Sequence, residues 1–140
     1  DWVLSLAENL DLKNNISLIG SLKSGIEILE FLKTLSLYVQ PSLTEGMPRA
    51  TIEAMSMGCP VIGSNAGGIP EVTSPLFIHR KGNFKELGNH INFLYKNRDV
   101  LFQEAMHSLK KAEPFLKSNL DFKRREFYNI MNTLLNSTIL

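Results

Sequence analysis

Short apolar runs alternate with longer segments of helical spacing along this chain. The periodic segments predict helices at 2–10, 26–34, 48–57, 84–95, 100–112 and 120–135. The short apolar runs predict strands at 16–19, 35–40, 61–63 and 76–78, with a turn at 65–70. Strands that alternate with helices in this way predict an α/β fold, with a Rossmann-like parallel sheet and helices on both of its faces.

The segment 45–53 (EGMPRATIE) predicts a helix start suited to an anion. Proline fits the first helical position because its fixed φ matches the helix, so Pro48 is expected there with Met47 as the N-cap. Methionine has no side-chain oxygen to accept hydrogen bonds from the amides behind it. Three N–H groups are therefore expected to be free at this end, those of Arg49, Ala50 and Thr51. A phosphate binds favourably at such a helix start.

Two carboxylates flank this helix start. Glu45 follows the second predicted strand, and open parallel sheets bind their ligands beyond the carboxyl ends of their strands. Glu53 lies about 7–8 Å along the helix axis from Pro48, at about 1.5 Å per residue. A diphosphate between them could present a sugar to one carboxylate and a ribose to the other, since carboxylates accept strongly from hydroxyls. This arrangement favours a nucleotide-sugar site.

A purely structural interpretation stays open at this point. Ser42 or Thr44 could cap the helix, and Glu45 could simply interact favourably with the helix dipole. The functional interpretation is favoured because Glu53 is predicted to lie in a helix that is apolar around most of its circumference. A buried carboxylate is costly unless it is paired or hydrogen-bonded.

Composition narrows the class of protein. The 140 residues suffice for one domain, and fifteen basic against fourteen acidic residues give a net charge of +1, which offers no electrostatic case for nucleic acid. No apolar run is long enough to predict a membrane span. The single cysteine, Cys59, is predicted to be a buried reduced thiol of a cytosolic protein rather than a nucleophile. The three histidines have no metal-ligand spacing, so no metal site is expected.

The predicted helix at 120–135 combines apolar positions with Lys123, Arg124 and Arg125. A basic amphipathic helix can lie on a membrane surface. More often its apolar side packs against its own domain while the charges face water. The sequence therefore predicts docking on the domain, with peripheral membrane contact as the alternative.

Four motifs occur in order along the chain, at 39–46 (VQPSLTEG), 52–55 (IEAM), 58–62 (GCPVI) and 67–71 (GGIPE). This ordered set resembles the C-terminal domain of the retaining GT-B glycosyltransferases, the glycosyl transferases group 1 family. Weaker likeness extends from 16–20 to the last helix, so the resemblance covers nearly the whole chain. Many members have Phe-Gly where this chain has Met47 and Pro48, which removes one backbone donor but keeps the helix start.

The resemblance implies a donor half-site for a nucleoside-diphosphate sugar, expected to be a UDP-sugar. It implies that Glu45 is the catalytic-site glutamate, which contacts hydroxyls of the transferred sugar as a positioning and electrostatic residue, and that Glu53 binds the ribose diol. The remaining donor-binding residues that it implies are Gly46, Met47, Pro48, Arg49, Ala50 and Thr51, with Ser21 and Leu22 near the base. Transfer in this family retains the anomeric configuration and needs no bound metal or other cofactor.

The resemblance also places the family's first strand and helix, and its acceptor-binding N-terminal domain, upstream of Trp2. Residues 1–140 are therefore expected to form a nucleotide-sugar-binding domain that is truncated at its N-terminus and inactive alone. The full-length enzyme is expected to transfer a hexosyl group to a glycan or lipid-linked acceptor, in the cytoplasm or peripherally at the inner face of the membrane. Two alternatives stay open, a nucleotide-sugar epimerase of GT-B fold and a truncated, non-catalytic interaction module.

Overall fold

A computed structural model of the chain describes residues 2–23 and 25–137, with side chains up to residue 135. The helices are α1 (Trp2–Asn9), α2 (Ile26–Lys33), α3 (Arg49–Ser56), α4 (Ile69–Val72), α5 (Phe84–Lys96), α6 (Arg98–Ala112) and α7 (Lys117–Ser137). The strands are β1 (Tyr38–Gln40), β2 (Val61–Ser64) and β3 (Ile78–His79). Short 3-10 turns lie at Lys13–Asn15, Pro75–Phe77 and Glu113–Phe115.

Strand β2 lies at the centre of a parallel sheet with the order β1-β2-β3. It is buried at every position, as expected for a strand covered on both faces. Val61 and Ile62 point to opposite faces because side chains alternate along a strand. Val61 packs with Met55 of α3, whereas Ile62 packs with Leu94 of α5 and Leu101 of α6. The predicted α/β fold, with a parallel sheet and helices on both faces, is confirmed.

The strand register brings two loops together at one edge of the sheet. Tyr38 pairs with Val61 and Gln40 with Gly63, so the carboxyl ends of β1 and β2 lie side by side. The loop after β1 carries Glu45, and the loop after β2 carries the glycine turn at 67–68. Glu45 therefore lies beyond the carboxyl ends of the strands, as the sequence predicts.

The strand predicted at 16–19 is absent. Ile16 has extended backbone angles, φ −120° and ψ 129°, but these residues pair with no strand in the described part of the chain. The side chains of Ile16, Leu18 and Ile19 are exposed. An apolar run has the propensity of a strand, but it becomes one only where a neighbour accepts its hydrogen bonds.

Short helical segments replace the end of the turn predicted at 65–70 and most of the strand predicted at 76–78. Gly68 is the N-cap of α4, which begins at Ile69. Pro75 begins a 3-10 turn, so strand β3 starts only at Ile78. Proline suits both the first turn of a helix and a turn, because its φ is fixed near −65°.

The apolar side of α7 does not pack against the domain as predicted. α7 contacts the 3-10 turn at Glu113–Phe115, while large apolar side chains farther along the helix are exposed: Phe127, Ile130, Met131, Leu134 and Leu135. None of the helices within 2–23 and 25–137 combines the length and apolar character that a membrane span requires.

Candidate functional site

Helix α3 begins one residue later than predicted. Pro48 is its N-cap, with φ −80° and ψ 69°. These angles form an inverse γ-turn, in which the N–H of Arg49 donates to the carbonyl of Met47 at 2.9 Å. The prediction that the Arg49 amide is free is therefore wrong.

Two backbone donors remain unused at this helix start. The first regular helical hydrogen bond runs from the N–H of Ile52 to the carbonyl of Pro48 at 3.1 Å. The N–H groups of Ala50 and Thr51 have no acceptor in the described part of the chain, and no side chain caps the helix. The Thr51 hydroxyl is buried and also has no hydrogen-bond partner there. Capping by a serine or threonine from upstream is thereby excluded.

The Glu45 carboxylate is held by its own loop. Its Oε2 accepts from Gln40 Nε2 and from Ser42 Oγ, both at 3.4 Å, and its Oε1 accepts from the N–H of Gly46 at 3.2 Å. The hydroxyl of Ser64 in β2 donates to the Ser42 carbonyl at 2.6 Å, which ties the loop to the central strand. The carboxylate is therefore oriented before any ligand arrives.

The glycine turn after β2 lies directly against the Glu45 loop. The N–H of Gly68 donates to the carbonyl of Gly46 at 3.1 Å. Gly67 has φ +49°, and a Cβ atom built on it would lie 1.7 Å from the Glu45 carbonyl oxygen. Only glycine permits such a close backbone approach in this conformation. The turn therefore fixes the position of the loop that carries Glu45.

One cavity of about 370 Å³ brings most of the predicted site residues together. It is lined by Gln40, Glu45, Met47, Pro48, Arg49, Ala50, Thr51 and Glu53. Both glutamates, Arg49 and the two residues with free amides at the start of α3 therefore line one space. Gln40 is the residue that the sequence analysis missed, although its position at the end of β1 places it next to the Glu45 loop.

Glu53 is exposed, which corrects the prediction that it is buried. α3 buries Thr51, Ala54 and Met55 on one side and leaves Ala50 and Glu53 on the other. The apolar composition of the segment therefore exaggerated how far the helix is buried. The desolvation argument for Glu53 does not hold, and the reason to assign it a role is its place in the same cavity as Glu45.

Tyr38 is electrostatically linked to both glutamates. Burial raises the pKa of its hydroxyl, and the negative charges of Glu45 and then Glu53 raise it further, with a smaller effect from Cys59. The phenol therefore keeps its proton at physiological pH. It donates a hydrogen bond to Gln40 Oε1 at 2.6 Å.

Comparison with known proteins identifies the family. The model of the family "Glycosyl transferases group 1" matches residues 1–114 of the chain. The chain belongs to this family.

Two bacterial proteins are similar to parts of this group 1 chain. It is 25% identical over 123 residues to "Protein CapJ" of Staphylococcus aureus. The aligned region covers 88% of this chain and 32% of CapJ. It is 40% identical over 68 residues to the "Amylovoran biosynthesis glycosyltransferase AmsK" of Erwinia amylovora. The aligned region covers 44% of this chain and 16% of AmsK.

The fold of this glycosyltransferase-family chain is also found among solved structures. It superposes on sucrose-phosphate synthase from Thermosynechococcus elongatus with a TM-score of 0.81 and 19% identity, over 96% of this chain and 34% of that one. That likeness shows the fold, a Rossmann-like domain of GT-B type. The chain spans about a third of the length of CapJ and of the synthase chain.

Three site residues implied by the resemblance to this family do not line this cavity: Gly46, which lies beside Glu45 in its loop, and Ser21 and Leu22. Ser21 is exposed and Leu22 is half-buried, and neither lines the cavity between the glutamates. Glu53 also lines a second, more apolar cavity of about 410 Å³, together with residues of α2, α3 and the start of α7, and neither Ser21 nor Leu22 lines it. A base-binding role for them remains a prediction.

Cys59 is buried as predicted. Its Sγ lies 3.1 Å from the carbonyl of Leu32, to which the thiol donates. Burial raises the pKa of this thiol, which keeps it protonated and unreactive at neutral pH. Within the described residues of this group 1 family member, no three His, Cys, Asp or Glu side chains cluster closely enough to hold a metal ion.

Proposed function

We propose that this chain binds a nucleoside-diphosphate sugar, with UDP as the expected nucleotide, in the cavity between Glu45 and Glu53. In the whole protein, the hexosyl group would pass to a glycan or lipid-linked acceptor with retention of configuration. The observation that carries the proposal is the pair of unused N–H groups at the start of α3, which share one cavity with two carboxylates. Family membership supports group transfer as the chemistry.

The diphosphate is assigned to the start of α3. The N–H groups of Ala50 and Thr51 would donate to its oxygens, and the helix dipole favours the negative charge. Arg49 lines the same cavity and adds a positive charge. These fixed groups would also stabilise the charge that develops on the leaving diphosphate, so the proposal includes no bound metal. Further positive charge is expected from parts of the whole protein outside these residues.

The two carboxylates are assigned to the two ends of the donor. Glu45 is half-buried and already oriented by Gln40, Ser42 and Gly46, so it suits the transferred sugar, whose position must be exact. Glu53 is exposed and has no described hydrogen-bond partner, so both of its oxygens are available to a ribose diol. Hydrogen bonds to a charged carboxylate are stronger than neutral ones, which suits both tasks.

The names of two relatives support a proposal for the acceptor and the cellular location. AmsK is named for amylovoran biosynthesis, and another relative is named "Capsular polysaccharide biosynthesis glycosyltransferase CapH" of Staphylococcus aureus. The acceptor is therefore proposed to be a growing glycan or its lipid-linked precursor, and the net charge of +1 gives no electrostatic reason to propose nucleic acid instead. Such synthesis would place the protein in the cytoplasm, in peripheral contact with the inner face of the membrane.

Calorimetric titration with UDP, GDP and ADP tests the donor assignment. We expect saturable binding of one nucleotide, weakened about tenfold or more in Glu53→Gln, because a charge-assisted hydrogen bond contributes about 1.5–3 kcal/mol. Glu126→Gln, an exposed glutamate on α7, is the matched control and should bind like the wild type. Binding that is equal in Glu53→Gln, or no binding of any of the three nucleotides, would contradict the proposal.

A further inference from the structure

A chain of hydrogen bonds leads from Tyr38, the first residue of β1, to the Glu45 carboxylate. Tyr38 and Gln40 are two residues apart, so their side chains lie on the same face of the strand. The Tyr38 hydroxyl donates to Gln40 Oε1 at 2.6 Å. Gln40 Nε2 donates to Ser42 Oγ at 2.7 Å and to Glu45 Oε2 at 3.4 Å. The Ser42 hydroxyl completes the chain, with a donation to the same Oε2 at 3.4 Å.

Every donor in this chain of hydrogen bonds points towards the Glu45 carboxylate. A reversed Gln40 amide would turn its oxygen towards Glu45 Oε2, and two electronegative oxygens repel each other. The Tyr38 hydroxyl favours the same orientation from the other end, because its proton finds an acceptor only if the amide oxygen faces it. Hydrogen bonds that run in one direction also polarise one another and gain strength.

We propose that Tyr38 and Gln40 are positioning residues, which fix the Glu45 carboxylate in the orientation that receives the sugar of the donor. This inference rests on the function proposed above. The hydrogen-bond chain ends on Oε2 and the Gly46 amide donates to Oε1, which leaves part of the acceptor capacity of the carboxylate unused, and Glu45 lines the cavity. The two residues therefore act on the sugar end of the donor and not on its nucleotide end.

The phenol ring and the hydroxyl of Tyr38 have separable roles. Tyr38 packs against the apolar cluster of Met55 and Val61 and against the cluster of Ala54 and Cys59. Tyr38→Phe keeps this packing and removes only the donor to Gln40. Gln40 lines the cavity itself, and Gln40→Met preserves its length while it removes both polar atoms.

Paired titrations separate the sugar end from the nucleotide end. UDP-glucose, UDP-galactose and GDP-mannose are each compared by calorimetry with the bare diphosphate. For the donor that binds more tightly than its diphosphate, Tyr38→Phe and Gln40→Met are expected to weaken binding by about three- to tenfold, the loss of one hydrogen bond. Binding of the diphosphate alone should be unchanged. Tyr95→Phe and Gln103→Met, both at exposed positions, are the matched controls.

A background without Glu45 tests whether the two residues act through it. In Glu45→Ala, the further change Tyr38→Phe should have no effect on binding of the sugar donor, because its target is gone. The inference is overturned if the sugar donor and the diphosphate lose affinity together, if neither loses affinity, or if the Tyr38 effect persists undiminished in Glu45→Ala.

A ligand-free measurement separates failure of this inference from failure of the proposed function. If the wild type binds no nucleotide, the proposed function fails, but the side-chain amide resonances of Gln40 still report on the hydrogen-bond chain by NMR. We expect these resonances to shift in both Tyr38→Phe and Glu45→Ala, and to stay in place in Tyr95→Phe. Unchanged Gln40 resonances in Tyr38→Phe would overturn the inference without any ligand.

Discussion

Gly67→Ala is expected to lower the free energy of unfolding by about 2–4 kcal/mol and to abolish donor binding. The added Cβ would lie 1.7 Å from the Glu45 carbonyl oxygen and 2.5 Å from its carbonyl carbon. No side-chain rotation relieves a clash between backbone atoms, so the loop that carries Glu45 must move. Strain from an alanine in left-handed backbone adds about 1 kcal/mol or more to the cost of overpacking. Urea unfolding and calorimetric titration with the nucleotide sugar measure the two effects.

Gly82→Ala separates the clash at Gly67 from backbone strain. Gly82 has φ +79°, but a Cβ atom there would meet nothing within 4 Å. This variant should therefore show only the strain of left-handed backbone, about 1 kcal/mol, with donor binding intact. Equal destabilisation in the two variants would mean that the glycine turn does not hold the Glu45 loop in place.

Gly63→Ala is expected to destabilise the centre of the sheet by about 1–3 kcal/mol. A Cβ atom at this position of β2 would lie 2.4 Å from Cγ2 of Ile69, the buried first residue of α4. The contact matters for the site because α4 follows the glycine turn directly. Its displacement would move Gly67 and Gly68 away from the Glu45 loop. The free energy of unfolding in urea is the measurement.

A double-mutant cycle identifies the contact that causes this loss. Ile69→Leu keeps the side-chain volume and removes the branch methyl at Cγ2. Gly63→Ala should therefore cost less in the Ile69→Leu background than in the wild type, with a coupling energy of about 0.5 kcal/mol or more. Strictly additive free energies would show that the space above Gly63 is not set by Ile69.

The sequence predicted the elements whose pattern depends on local spacing. The helices at 26–34 and 84–95 and the buried strand at 61–63 appear within a few residues of their predicted bounds, because their periodicity is strong and both faces of the sheet are covered. The prediction of a strand at 16–19 was wrong because strand formation requires a neighbouring strand to pair with, and the local pattern does not show whether one is present.

The sequence motif predicted that most of the candidate residues would lie close together, but it did not predict the hydrogen bonds among them. The motif placed Glu45 after a strand and the helix start behind it, and the structure brings both glutamates to one cavity. The γ-turn at Pro48 uses the Arg49 amide as a hydrogen-bond donor. This turn depends on the ψ angle of Pro48, whereas the proline ring fixes only φ. The links from Tyr38 through Gln40 depend on side-chain orientations across β1, so no pattern along the chain predicts them.

The most direct test of the central claim is a titration followed in the amide proton–nitrogen NMR spectrum of this chain, with UDP, GDP and ADP in turn. If the start of α3 holds the diphosphate, the amides of Ala50 and Thr51 shift most in the presence of the nucleotide that binds, because they donate to it. Gly46 should shift with them, while α5 and α7 stay unchanged. Shifts centred on any other surface, with Ala50 and Thr51 unaffected, would contradict the account.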